Sequence, residues 1–325
     1  MVDHCGRTIR YLRISVTDRC NLRCVYCMPE RGIQWVDHHE ILSYEEILRL
    51  ARIFARLGID RVRLTGGEPL VRKGLSQLVS GLKAVPGIDW VGVTTNGILL
   101  EEQLPDLLAA GLDGVNLSLD TLDRAQYAAI TRRDMLESAL RGLAAARNAP
   151  GLNVKVNCVP WEANAGQWVS LAAMAKEEPA IDVRFIELMP IGLGGGMEPR
   201  LERDVLARLE ETFGPAFPCP GKSECGPGRY VRFPGFAGRV GFISAMSHQF
   251  CRSCNRVRLT ADGVLKPCLQ YDSGLDLRAL LRSGEDEEIL AGVIRQAIYN
   301  KPVSHHFGTA HTPGDESRNM NQIGG

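Results

Sequence analysis

Six short β-rich runs, each followed by a helical stretch, constrain what this chain can fold into more than any other feature. The runs are YLRISV (11–16), RVRLT (61–65), WVGVTT (90–95), GVNLSLD (114–120), NVKVNCV (153–159) and IDVRFIEL (181–188). The first helix is the clearest. Ser43 and Glu46 form a capping box, Ile47, Leu50, Ala51, Phe54 and Leu57 recur on one face, and Gly58 supplies the stop. Further helical patterns cover 101–110, closed by Gly111, then 135–147 and 166–178. Strands alternating with crossover helices imply a parallel sheet. Six such units predict an α/β fold, an incomplete (βα)6-type TIM barrel, with a flat doubly wound sheet as the alternative.

The period of two inside these strands separates two faces. Val62, Leu64, Val91, Val93, Val115, Leu117, Leu119, Val154, Val156, Val183 and Phe185 form one, expected against the helices. The other carries Arg13, Arg61, Arg63, Thr94, Asn116, Ser118, Lys155, Asn157 and Arg184. For a single strand, the ordinary reading of such alternation is a solvated outer face. In a parallel architecture with helices outside, however, the polar face must line an interior. Several cations in an interior need an anion to neutralise them, so the expected ligand is polyanionic.

That charge is local. The 38 basic and 38 acidic residues cancel, so no global field draws the chain to nucleic acid or an anionic membrane. The sequence has no signal-peptide stretch and no apolar run of roughly 20 residues, and a cytoplasmic protein is expected. Ten cysteines in that compartment read as reduced thiols or metal ligands. Six fall into tight spacings, while Cys5, Cys158, Cys219 and Cys225 are unassigned.

Functional residues in barrel folds gather where strands end. DRCNLRCVYC follows the first strand and places Cys20, Cys24 and Cys27 together. A structural zinc site takes four ligands, whereas three thiolates on one loop leave a metal centre with an open position. TGGEP (65–69), TTNG (94–97), SLD (118–120) and ELMP (187–190) share that rim. GGEP alone is more often a turn than a site, but beside three thiols Glu68 becomes a candidate for holding a cationic ligand group.

A second triad stands in CRSCNRVRLTADGVLKPC: Cys251, Cys254 and Cys268. The segment reads as a hairpin turning near Ala261, Asp262 and Gly263, which brings Cys254 and Cys268 roughly opposite each other. Arg256 and Arg258 then share a face with Cys254, and Val257 and Leu259 point away. At this point a zinc ribbon with His248 as fourth ligand is the alternative. His4, His38, His39, His305, His306 and His311 lack ligand spacing and read as solvated. PGKS (220–223) lacks the glycine that a phosphate loop needs at Ala216, and GLGGGM (192–197) lacks the last glycine of a dinucleotide fingerprint; they read as a turn and a flexible link.

The C-x3-C-x2-C loop with an aromatic before its last cysteine, followed by GGEP at the next strand end, resembles the radical S-adenosylmethionine superfamily. The resemblance implies that Cys20, Cys24 and Cys27 hold a [4Fe-4S] cluster whose fourth iron binds S-adenosylmethionine, which is cleaved to a 5′-deoxyadenosyl radical. Both triads together narrow the match. From LRISVTDRCNLRCVYCMP through RLTGGEPLVR, TTNG, NLSLD and RFIELMP to CRSCNRVRL and the terminal IGG, the whole chain resembles the GTP 3′,8-cyclase family.

This implies a second [4Fe-4S] cluster on Cys251, Cys254 and Cys268 that binds guanine. GTP would be converted to (8S)-3′,8-cyclo-7,8-dihydroguanosine 5′-triphosphate, an intermediate of molybdenum cofactor biosynthesis. Position by position, the resemblance assigns Tyr26, Gly67, Ser118 and Met189 to S-adenosylmethionine. It assigns Arg13, Arg63, Thr94, Lys155, Arg256, Val257 and Arg258 to GTP, places Arg184 near the triphosphate, and reads Gly324 and Gly325 as a tail entering the active site. Expected divisions are a partial barrel over 1–190, a linker and lateral segment over 191–240, and a second-cluster region capping the barrel mouth over 241–325. Implied partners are a reducing electron donor such as flavodoxin or ferredoxin and cyclic pyranopterin monophosphate synthase downstream; a homodimer is compatible with the family. The alternative is a radical enzyme that modifies a peptide or RNA, which would share the first triad but lack the Arg256 and Arg258 pair and the glycine tail.

Overall fold

The computed structural model describes residues 1–220, 226–308 and 312–324. Gly221 to Ser223 of PGKS, Cys225, His311 and Gly325 lie outside the described residues. All six expected strands are present: β1 (Tyr11–Ser15), β2 (Arg61–Thr65), β3 (Trp90–Thr95), β4 (Gly114–Ser118), β5 (Asn153–Cys158) and β6 (Ile181–Ile186). They pair in parallel in the order of the chain. A doubly wound sheet reverses its strand order at a switch point, and this one does not. With right-handed crossovers, strands marching in one direction put every connecting helix on the same face.

Those helices are α1 (Tyr44–Arg56), α2 (Leu75–Lys83), α3 (Leu100–Ala109), α4 (Arg124–Thr131), α5 (Leu136–Arg147) and α6 (Trp168–Glu177). The capping box forms as expected: Ser43 Oγ accepts from Glu46 N (3.2 Å) and Ser43 N donates to Glu46 Oε2 (2.7 Å). The predicted apolar strand face is buried throughout, in one core with the inner faces of these helices.

The C-terminal part extends both edges of the sheet. After α7 (Glu202–Phe213), the strands β7 (Phe217–Cys219), β8 (Arg229–Arg232) and β9 (Arg239–Ile243) add to β6, with β9 parallel to it. On the far side β10 (Arg256–Leu259) runs parallel to β1, followed by antiparallel β11 (Val264–Lys266) and β12 (Leu275–Asp276). The first and sixth strands therefore face other partners, and the barrel is open. The expected hairpin is the β10–β11 pair. Beyond it lie α8 (Leu277–Arg282), α9 (Glu287–Tyr299) and the short α10 (Met320–Ile323).

Buried polar junctions fasten these additions. Glu187, at the end of β6, accepts from the main-chain N–H groups of Met246 (2.7 Å), Ser247 (2.9 Å) and Glu202 (2.9 Å). The buried Arg239–Asp182 pair ties β9 to β6. Lys266 and Glu316, both buried, join the hairpin to the segment that leads into the tail.

Candidate functional site

On the inner face of the sheet lies a cavity of about 380 Å³. All nine residues of the predicted polar face line it, as do both cysteine triads. Register fixes where the triads sit. Tyr11 of β1 is level with Arg256 of β10, so Cys254 precedes the start of these strands, whereas Cys20 follows their end at Ser15. Four residues of parallel strand, on the order of 13 Å, separate the two levels. The triads thus flank the cavity from opposite ends.

At the C-terminal end, Cys27 N and Met28 N both donate to Cys24 O, curling the thiol loop into a turn. Gly67 lets a neighbouring turn approach: a Cβ there would lie 2.4 Å from Arg19 O and 2.5 Å from Asp18 O. Burial pushes the Cys20 thiol up to about 11 and the Cys27 thiol up to about 12, and holds Cys24 well above the thiol range, helped by the charges of Cys27 and Asp120. Three such thiols ionise together only when a strong Lewis acid joins them. The donor set therefore fits a metal cluster.

Two buried carboxylates stand beside it. Burial raises Glu68 to about 7 against hydrogen bonds from Asn96 N (2.7 Å), the Thr95 hydroxyl (2.7 Å) and Leu70 N (3.0 Å). Asp120, raised to about 6 by burial, accepts from the Tyr26 hydroxyl (2.6 Å) and Val159 N (2.8 Å).

The second triad has the opposite electrostatics. Burial works against the Cys254 thiolate, but Arg256 and Lys301 outweigh it and bring this thiol down to about 6. Lys301 is buried and its ammonium donates to the carbonyls of Arg256 (3.0 Å) and Pro267. Arg7, held by Asp3, donates to the carbonyls of Cys251, Lys301, Pro302 and Val303. His248 does not join the triad. Its side chain is 74% exposed and lies 3.6 Å from Glu202 on the α7 side. The zinc ribbon reading therefore lacks its fourth ligand. His305 is a second correction: read as solvated, it is buried and lines the cavity. Its neighbour His306 pairs with Asp315 at 3.0 Å.

Between the triads the cations crowd one another. Lys155 is brought down to about 7 by burial, then by Arg184 and Arg63. Arg258 falls to about 10 through burial and Arg256, and Arg13 is lowered by burial and Arg258. Like charges held this close in a buried cavity are a site for a polyanion. Arg63 is fixed from three sides: its Nε donates to the Tyr11 hydroxyl (2.5 Å), its Nη1 to Val93 O (2.9 Å), and it lies 4.7 Å from the Trp90 ring. Gly92 and Gly114 leave room for that indole, since a Cβ on Gly92 would come within 2.2 Å of it.

Tyr26, Gly67, Ser118, Met189, Thr94 and Arg184 all line the cavity, and the buried Thr94 hydroxyl has no hydrogen-bond partner among the described residues. Val257 is the exception. Its side chain belongs to the core, leaving only its main chain for ligand contact. Gly324 reaches the site, where its carbonyl accepts from Arg258 Nη1 at 2.6 Å. Sequence reasoning reaches Asp120 only as the end of SLD and gives no site role to Tyr11, Trp90, Arg7, Lys301 or His305. Tyr11 and Trp90 share the strand phase of Arg13 and Arg63 and could have been found by extending the alternation to the strand starts; the last three carry no such signal.

The one-way parallel sheet, the thiol loop and the GGEP turn define the Radical SAM superfamily, whose family model matches residues 14–161. The same fold occurs in Streptococcus suis SuiB bound to S-adenosylmethionine, with a TM-score of 0.60, 15% identity, and coverage of 88% of this chain and 68% of that one. A second family model, Molybdenum Cofactor Synthesis C, matches residues 181–307. The chain belongs to the GTP 3′,8-cyclase family. It is 46% identical over the full length of both chains to the GTP 3′,8-cyclase of Heliobacterium modesticaldum, and 45% identical, again over the full length of both, to that of Moorella thermoacetica.

Proposed function

We propose that this chain converts GTP to 3′,8-cyclo-7,8-dihydroguanosine 5′-triphosphate in molybdenum cofactor biosynthesis, using S-adenosylmethionine and two [4Fe-4S] clusters. Cys20, Cys24 and Cys27 would hold the first cluster, and Cys251, Cys254 and Cys268 the second. When bound, these groups would supply one-electron cleavage of a sulfonium to a carbon radical able to take the hydrogen from C3′ of the ribose; bonding of C3′ to C8 then leaves a purine-centred radical, which a second electron from the donor and a proton would convert to the 7,8-dihydro product. The observation that carries this reading is the pair of thiol triads at opposite ends of one cation-lined cavity.

The chain's own residues bind, orient and exclude water. Tyr26, Gly67, Ser118 and Met189 surround S-adenosylmethionine, with Glu68 beside them to face its cationic portion. Arg13, Arg63, Lys155, Arg256 and Arg258 neutralise the triphosphate and orient the nucleotide, with Arg184 in support. The Thr94 hydroxyl supplies a further polar contact, and Val257 contributes its main chain. Gly324, with no side chain, leaves the tail narrow enough to share the cavity, and the C-terminal region closes its mouth, since a carbon radical must meet only its intended hydrogen. No helix among the described residues is long and apolar enough to cross a membrane; the proposed setting is the cytoplasm. A flavodoxin or ferredoxin would supply electrons, cyclic pyranopterin monophosphate synthase would take the product, and a homodimer is compatible with this scheme.

Anaerobic incubation of the reconstituted protein with dithionite, S-adenosylmethionine and GTP tests the reading. It predicts 5′-deoxyadenosine and a cyclised nucleotide together. Deoxyadenosine formed equally without GTP, and with no cyclised product, would remove GTP as substrate and turn attention to a peptide or RNA.

A further inference from the structure

After α9 the chain folds back along the second triad. His305 N donates to Cys251 Sγ at 3.5 Å, and the carbonyls of Lys301, Pro302 and Val303 are pinned by Arg7. This return carries the His305 ring into the cavity wall, where the residue is 7% exposed and its ring centroid lies 4.5 Å from that of Phe307. Its Nδ1 accepts from Phe307 N at 3.3 Å. A nitrogen that accepts carries no hydrogen, so the neutral ring has its proton on Nε2. That Nε2 is buried and has no partner among the described residues. An unpartnered N–H donor on a residue that lines a ligand cavity marks the place of an acceptor on the ligand.

We propose that His305 is a substrate-recognition residue, its Nε2–H addressing the acceptor edge of the purine, O6 and N7. The inference rests on the reading of GTP as substrate with its base at the second triad. The triphosphate does not account for this donor. The cations that match phosphate stand on β1, β2, β5, β6 and β10, and a neutral ring adds little to them. Guanine presents two adjacent acceptors, O6 and N7, whereas adenine presents a donor beside N7, so a fixed N–H that faces O6 favours guanine.

The test uses reconstituted protein without S-adenosylmethionine, so that binding is read without turnover. Equilibrium Kd is measured for GTP, for 7-deaza-GTP, which lacks N7, and for 2-aminopurine riboside triphosphate, which lacks O6. His305→Phe keeps the ring packing and removes the donor; His305→Gln keeps a donor. The expected result is about tenfold weaker GTP binding in His305→Phe with partial recovery in His305→Gln. Wild-type protein should lose a similar factor on one analogue that His305→Phe no longer distinguishes from GTP. Unchanged GTP affinity in His305→Phe overturns the proposal, and so does a shifted midpoint potential of the second cluster at constant GTP affinity, which would give the donor to a cluster sulfur. If His305→Phe loses iron, wild-type indifference to both analogues also overturns it. Wild-type protein that does not bind GTP refutes the functional reading instead.

Discussion

Replacing Glu316 by Gln should release the C-terminal tail without disturbing the barrel. The Glu316 carboxylate and the Lys266 ammonium are 1% and 0% exposed as side chains, and the other partner of Lys266 is the carbonyl of Tyr271 at 2.5 Å. Removing the carboxylate strands a buried ammonium, which costs about 3–5 kcal/mol. At 1.4 kcal/mol per tenfold, that raises the detached fraction of the segment by roughly 10² to 4 × 10³. The reverse change is milder, because in Lys266→Met the Glu316 carboxylate keeps Arg318, whose main-chain N (2.9 Å) and Nε (3.0 Å) both donate to it. Lys266→Met/Glu316→Leu should recover most of the loss, since apolar isosteres replace a buried pair at little cost.

The sign with pH follows from burial, which already lowers Lys266. A lysine whose folded pKa lies below its unfolded value makes the unfolded chain bind more protons, so the Glu316→Gln deficit narrows as pH rises toward the ordinary lysine range. Hydrogen exchange over residues 316–324, read beside α1 as an internal standard, measures the effect. Unchanged protection in Glu316→Gln, or equal damage in Lys266→Met, would refute the reasoning.

Three further outcomes follow from the site. Tyr11→Phe removes a 2.5 Å hydrogen bond to the Arg63 guanidinium, so the Kd for GTP should rise about tenfold while guanosine binding holds, as titration of the reconstituted protein would show. Gly67→Ala puts a Cβ against two carbonyls of the thiol loop and should cost the first triad its cluster, leaving roughly half the iron per chain by colorimetric assay because backbone this close cannot yield. In metal-free protein Glu68, raised by burial to about 7, is deprotonated more readily unfolded than folded. Its contribution is complete below the unfolded carboxylate range and is lost as pH rises toward 7, so Tm should fall across that window and Glu68→Gln should flatten part of the slope.

The same division between local and assembled features separates what could be read early from what could not. Alternation in RVRLT and NVKVNC is a property of neighbouring residues, and so places Arg63 and Lys155 on the cavity face. The spacing of CRSC is compatible with zinc because spacing counts ligands and says nothing of where His248 lies, which is beside Glu202. The burial of His305 is hidden from sequence for a related reason: it comes from Arg7 and Lys301, residues hundreds of positions and four positions away, which fold the α9 return onto the second triad.

What the sequence by itself determined is the set of local periods and clustered thiols: six strands with one polar face, the first thiol triad, and a capped first helix. Each is decided by residues within one turn or one strand of each other, where side-chain phase is set by backbone geometry. Only tertiary structure decided that the chain's late strands extend both edges of the sheet, that the triads lie at opposite ends of its strands, and that Gly324 and His305 meet the space between them. Those outcomes depend on which distant surfaces exclude water together, a sum over contacts that no single stretch of chain contains.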